Sequence, residues 1–442
     1  MSGIPSILDD QERLAAWRFL ATSEAGSLIA DADDALDGGL EARKIEGLRR
    51  RHPDQPVSEA LELAQARRKA EGRLVGADRL LLDRHGSEQA TSTVVARWKA
   101  VRFGKSPVID LCCGVGGDSM ALADRGPCRG VDRDPVRAFM ASVNAGIDGI
   151  VGSAEEIDVG DALVHIDPAR RDESTGRRHW RLEDLSPVPD VIRAIVGRVP
   201  GAAIKLGPGL PRPFPIFHER QSISIVSEGG RLVQAVIWTG DLAGPRPMEA
   251  VDLPSGEVLA GEAEEMGLGG GERLLPGSAE SGKGPILVEF HPAVERASLG
   301  PTAWKRRFGE AGLFEPAAGL GIGLAGAEEL AASGMITSSR WIRLTQVHSI
   351  ERPRLDDVEK AIVRLIGEDR PPGRIVVRTR DSAIDADQWT RRLGRLVDPA
   401  GGDGSSGLPQ VLEIYGIRIG RRIVAVIGRP CPEPDQESSG AL

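Results

Sequence analysis

The chain has 442 residues, 40% hydrophobic and 27% charged, with a formal net charge of −9. That is the composition of a globular protein with chain enough for two or three domains. The acidic balance excludes a broad basic face, so any nucleic-acid contact must come from a local patch. The cysteines stand at 112, 113, 128 and 431. They lack zinc-site spacing, and the adjacent Cys112 and Cys113 are poor disulfide partners, so we expect no metal and a reduced, cytoplasmic compartment. The stretch MSGIPSILDDQERLAAW has no signal-peptide core. No apolar run approaches the ~20 residues of a membrane span, so no membrane partner is expected.

Residues 1–100 read as a helical N-terminal domain. In SEALELAQARRKAEGRLVGADRLLLDRHG apolar residues recur at three- and four-residue steps, with Ser58 as the expected N-cap. A second helical stretch, QATSTVVARWKAVRF, follows. Residues 101–241 then alternate between strand and helix signals: PVIDLCC, GDSMALADRG, CRGVDR, DPVRAFMASVNAG, GIVGSA, ALVHIDP, LSPVPDVIRAIVGRV and GAAIKLG. Such alternation predicts a parallel sheet with right-handed crossovers. The block closes with QSISIV and RLVQAVIWTG joined through SEGG, a hairpin signal that makes the sheet's last strands antiparallel. Residues 242–284 read as a small hairpin around PSGEVLAG and a Gly/Ser-rich linker. Residues 285–430 read as an α+β domain, with helices in HPAVERASLGPTAWKRRFGEAG and DDVEKAIVRLIGE. Its strands are GRIVVRTR, QVLEIYGIRIG and RRIVAVIG, the last two a hairpin. Residues 431–442 read as a disordered tail.

The turn DLCCGVGGDS, Asp110 to Ser119, carries the chemistry. Glycines after a strand let backbone approach a ligand, and open parallel sheets bind ligands at the carboxyl ends of their strands. Asp110 closes the first strand. Asp132 closes the second, where a carboxylate can accept both hydroxyls of an adenosine ribose. The dinucleotide pattern G-x-G-x-x-G fails at its sixth position, Ser119. An acid before the turn would crowd a pyrophosphate, yet could engage the amino-acid end of a cationic sulfonium ligand.

In order and spacing, DLCCGVGGDS, GVDRD and HIDPARR resemble the first, second and fourth motifs of class I S-adenosylmethionine-dependent methyltransferases. DPARR, followed by EDLSP and KLGPGLP, resembles a bacterial and archaeal group that joins such a Rossmann-like domain to a C-terminal THUMP-like domain. HPAVERA and RLTQVHSIERPRLDDVEKAI resemble that module. The resemblance implies S-adenosylmethionine as cofactor. It places Asp110, Cys112, Gly114, Gly116 and Gly117 around the methionine part, while Asp118 orients the loop or, with Ser119, simply caps the next helix. Cys112 and Cys113 also read as small packing residues. Asp132 would bind ribose and Arg133 flank the adenine. One of Ser153, Ala154 and Glu155 would take the adenine amine, where relatives carry an acid.

Asp167 and Pro168 open the catalytic loop, and an acid here accepts a hydrogen bond from the target N–H in amine-methylating relatives. Arg170 fills the position of their stacking aromatic; a guanidinium can stack on a base or grip a phosphate. Arg170, Arg171, Arg177, Arg178 and Arg181 form either a solvated loop or, as we favour, a phosphate-binding rim. Trp180 supplies a stacking face or fills a lid, and Lys205 contacts substrate or merely ends a strand. The expected activity is methyl transfer to RNA, tRNA or rRNA. A small-molecule or protein methyltransferase, favoured by the acidic balance, and a non-catalytic cofactor- and RNA-binding protein are the alternatives.

Overall fold

The computed structural model describes residues 7–170, 182–264, 285–309, 314–316, 322–325, 338–368, 372–379, 384–397, 411–419 and 422–432. The chain divides into two compact units, 1–247 with 251–258, and 248–250 with 259–442.

The first unit opens with helices α1 (Ile7–Leu20), α2 (Gly26–Leu36), α3 (Ala42–Arg51), α4 (Val57–Ala70), α5 (Arg84–Gln89) and α6 (Thr93–Phe103). The long helix read into 58–86 ends at Ala70, because Gly72 and Gly76 adopt φ of +75° and +73°, which breaks the helical run. Pro56, not Ser58, stands at the N-cap of α4, and no side chain caps it. The second helical stretch, read from Gln89, begins as α6 at Thr93, where Ser92 accepts a hydrogen bond from the Val95 amide at 3.3 Å. These helices do not build a core of their own. Trp17, Leu28, Leu48 and Leu63 pack in one cluster with Val115 of the glycine turn and with Val136 and Met140 beyond it.

From residue 108 strands and helices alternate as the sequence predicts: β1 (Val108–Leu111), α7 (Gly117–Ala123), β2 (Cys128–Asp132), α8 (Pro135–Ala145), β3 (Asp148–Val151) and β4 (Leu163–Ile166). A short pair follows, β5 (Ala169–Arg170) with β6 (Leu185–Ser186). Then come α9 (Pro189–Val196), β7 (Gly201–Leu206), β8 (Gln221–Glu228) and β9 (Arg231–Gly240). β3, β2, β1, β4 and β7 are parallel neighbours in that order; β9 and then β8 add antiparallel beside β7. Sequence order reverses between β1 and β4, which opens a crevice at the carboxyl ends of those strands. This large, mostly parallel sheet with a reversed terminal hairpin agrees with a Rossmann-like methyltransferase fold. The central strands β1 and β4 are buried at every position, as strands covered on both faces must be. A polar residue in such a strand needs partners, which makes His165 in β4 conspicuous.

β10 (Met248–Leu253) lies beside β8, and β11 (Glu257–Gly261) follows a turn, as PSGEVLAG predicts. The Gly/Ser-rich segment 265–284 lies outside the described residues, as does nearly all of the expected tail. In the second unit β12 (Ile286–Phe290) is followed by α10 (Pro292–Arg296) and α11 (Gly300–Phe308). The single helical stretch read there is thus broken, at Ser298 with its φ of +56°. β13 (Phe314–Pro316), β14 (Ile322–Ala325), β15 (Ile342–Glu351), α12 (Leu355–Glu368), β16 (Arg374–Thr379), α13 (Ala386–Leu393), β17 (Val411–Ile419) and β18 (Arg422–Pro430) complete it. The sheet order is β13-β14-β12-β15-β18-β17-β16, with β17 and β18 antiparallel as expected. Val358, Ile362, Trp389 and Leu393 cover one face, against Ile375, Leu412, Ile414 and Ile427. No described helix is long and apolar enough to cross a membrane.

Candidate active site

The three glycines of the turn serve different ends. Gly114 has φ +56°, and no described heavy atom lies within 4 Å of where its Cβ would stand, so it opens onto empty space. Gly116, at φ +86°, takes the left-handed conformation and lets α8 approach: a Cβ there would meet the Ala141 Cα at 3.0 Å. Gly117 packs against Ala90 and Thr91, where a Cβ would meet Ala90 at 3.1 Å. Cys112 is the non-glycine residue of this turn with positive φ, at 60°.

Gly114 borders a cavity of about 1130 Å³ at the carboxyl ends of the parallel strands. Cys112, Gly117, Asp118, Asp132, Arg133, Ser153, Ala154 and Glu155 line it, as do Asp167, Pro168 and Lys205. Asp110 and Gly116 do not. Asp110 is 1% exposed and points into the protein, where it accepts hydrogen bonds from Ser119 Oγ and, at 2.7 Å, from His165 Nδ1. Arg171, Arg177, Arg178, Trp180 and Arg181 lie outside the described residues, and Arg170 is described in its backbone only.

Asp132 accepts the Gly114 and Asp134 amides, each at 2.9 Å, which fixes its carboxylate at the mouth of the turn. Burial raises its pKa above the ordinary aspartate value, partly offset by those amides. Both oxygens keep a lone pair for a diol. Ser153 donates to Glu155, so at the adenine position these two side chains act as a pair. Burial pushes the Cys112 thiol well up, helped by Asp132 and Asp167, so this cysteine stays protonated and unreactive.

Asp167 follows β4, and its Oδ2 holds Lys205 Nζ of β7 at 2.6 Å. Burial alone would lower the Lys205 pKa, but Asp167 and Asp118 outweigh it and raise it, so the ammonium is charged.

Beneath this pair lies a polar chain that the sequence reading missed. Lys99 of α6, 2% exposed, forms an ion pair with Asp118 Oδ1 at 2.8 Å and donates to His165 Nε2 at 3.1 Å. Thr91 Oγ1 donates to Asp118 Oδ2 at 2.6 Å. Neither Asp118 nor Ser119 caps α7, whose N-cap is Gly116; both are spent on this network. Burial would raise the Asp118 carboxyl, yet Lys99, His165 and Lys205 outweigh burial and hold it well below the usual range. Burial lowers the Lys99 pKa, and Asp118 restrains the shift. The one local signal was His165, a lone polar residue in the apolar run ALVHI; Lys99 stands between Arg97 and Arg102 in VVARWKAVRF and is not set apart there. The opposite wall was also unforeseen: His85, Gly86, Glu88, Gln89, Ala90 and Thr91 line the cavity, and Gly86 fits directly against Val115.

The chain is similar to uncharacterized S-adenosylmethionine-dependent methyltransferases of Mycobacterium tuberculosis strains CDC 1551 and H37Rv. It is 32% identical to each over 219 residues, which is 45% of this chain. It spans 59% of the length of these curated relatives. No family model matches it. Its fold resembles that of a candidate methyltransferase from Porphyromonas gingivalis W83, with a TM-score of 0.58 at 15% identity, over 95% of this chain and 98% of the other.

Proposed function

We propose that this chain is an S-adenosylmethionine-dependent methyltransferase acting on RNA, tRNA or rRNA. One observation carries the first half. The crevice where strand order reverses holds an open glycine at Gly114 and a fixed acid at Asp132, and faces the Asp167–Lys205 pair. The residues fit the cofactor: Gly114 leaves room where a side chain would intrude, and Asp132 retains acceptor capacity for two ribose hydroxyls. Arg133 and the Ser153–Glu155 pair flank the adenine end.

Bound there, S-adenosylmethionine supplies a methyl carbon on a sulfonium, whose transfer to a lone pair returns the C–S electron pair to sulfur. The protein's share is alignment and exclusion of water. With Oδ2 committed to Lys205, Asp167 offers Oδ1 to the acceptor's N–H or O–H and takes up that hydrogen as the new bond forms. Lys205 holds the carboxylate in place.

The RNA half is supported by the arginine-rich run from Arg170 to Arg181 and by the THUMP-like character read in HPAVERA and RLTQVHSIERPRLDDVEKAI. The test is transfer of labelled methyl to total RNA from cells lacking this protein, followed by nucleoside analysis. We expect label in RNA, loss of transfer with retained cofactor binding in Asp167→Ala, and weakened retention on RNA as salt rises. Label entering only small molecules or protein would transfer the assignment to those substrates. Failure of the wild type to bind the cofactor would reject methyl transfer altogether.

A further inference from the structure

Gln234 sits on β9, 3% exposed, and lines the same cavity. Its Nε2 is buried and has no hydrogen-bond partner among the described residues. A buried amide NH2 left unpaired is costly, and such groups mark positions where a ligand completes the bonding. Sheet register places it. Lys205 lies opposite Val236, and Gln234 stands two residues along on the same strand. Residues two apart on a strand share a face, so Gln234 is the diagonal neighbour of Lys205. In the same way His165 pairs with Ala203, which puts Asp167 and Lys205 on one face. One face of the sheet thus presents Asp167, Lys205 and Gln234 in strand order β4, β7, β9. This lies away from Asp132 and β2, where the adenosine end of the cofactor belongs.

Resting on the methyl-transfer reading above, we infer that Gln234 is a specificity-determining residue whose amide donates to an acceptor atom of the methyl-receiving group, while Asp167 accepts from a donor on the same group. A rigid ring with donor and acceptor on one edge satisfies both, and that is the hydrogen-bonding edge of a nucleobase taken out of its stack. The cavity, about 1130 Å³, exceeds what one cofactor-sized ligand needs, which leaves room for a base. A glutamine or asparagine side chain of a peptide has the same donor–acceptor chemistry but fills far less of that space. Leu185, Pro168 and Val233 give apolar walls against which a ring can lie.

The experiment uses the full chain saturated with S-adenosylhomocysteine. It is titrated separately with the four nucleoside 5′-monophosphates and with a Gln-containing tripeptide, by ligand-observed NMR. We expect one or more mononucleotides to bind. Gln234→Leu should weaken that binding at least tenfold, with S-adenosylhomocysteine affinity unchanged within twofold. Gln234→Glu, which can only accept, should shift preference toward bases presenting a donor. For the best-bound base, an analogue with CH in place of the accepting ring nitrogen should bind the wild type correspondingly less well, which needs no variant. Binding of no mononucleotide, binding of the peptide alone, or full mononucleotide affinity in Gln234→Leu would overturn the inference. Wild-type protein that does not bind S-adenosylhomocysteine would instead overturn the methyl-transfer reading.

Discussion

Lys99→Met removes the cation from the buried network while keeping the volume of the side chain. In the wild type the ammonium lies 2.8 Å from Asp118 Oδ1 and 3.1 Å from His165 Nε2, with Lys99 2% and Asp118 6% exposed. Removing one member of a buried pair strands the other charge and costs about 3–5 kcal/mol. One feature pulls toward the lower figure: the variant no longer bears the burial cost of the ammonium. For a unit of this size each kcal/mol moves the melting temperature by about 2–4 °C, so a drop of roughly 6–20 °C is expected. The sign of the pH dependence is fixed too. Asp118 is held below its unfolded value of 3.8, so its contribution is present above that pH and is lost as pH falls through the lower folded value. Without Lys99, burial dominates and the carboxyl rises, so the variant loses less on acidification. The gap between wild type and variant should narrow below about pH 4. Calorimetric melts from about pH 2 to 8 measure this. Lys99→Met/Asp118→Leu, which removes both charges, should recover most of the loss. A single variant melting within about 2 °C of wild type at pH 7, or a double variant no better than the single, would refute the reasoning.

Lys205 is raised above its unfolded value of 10.5, so its stabilisation is full below that pH and is lost as pH climbs through the folded value. Lys205→Met should flatten the alkaline limb of the stability profile above about pH 10, as followed by melting temperature. Asp132→Ala removes the acceptor of two ribose hydroxyls. At about 1.5–3 kcal/mol for hydrogen bonding to a charged group, S-adenosylhomocysteine affinity should fall roughly 10- to 100-fold by titration calorimetry. Gly114→Ala and Gly116→Ala should separate binding from folding. Each incurs about 1–2 kcal/mol for an L-residue at positive φ. Gly114→Ala adds a methyl to the cavity and should lower cofactor affinity; Gly116→Ala presses on the Ala141 backbone and should lower the melting temperature further.

What contiguous residues encode was legible without coordinates. DLCCGVGGDS and GVDRD declare a strand, a ligand-approaching turn and an acid at the next strand's end, because glycine conformation and strand-end position are local properties. Strand–helix alternation gave the parallel sheet, and SEGG between two β-type runs gave its reversed edge. The sequence also placed Asp132, Asp167 and Lys205 at strand ends that do meet at one cavity. Only the tertiary structure decided which polar groups are spent inside the protein and which remain for a ligand. Asp110 looked like a cofactor residue, yet its carboxylate belongs to His165, 55 positions away, and His165 to Lys99, 66 positions away. Gln234 joins the row of Asp167 and Lys205 because β9 runs back beside β7, and no local pattern records that adjacency. Burial and strand neighbourhood arise from chain crossings, so a polar side chain's partners are fixed by distances in space that separation along the chain does not carry.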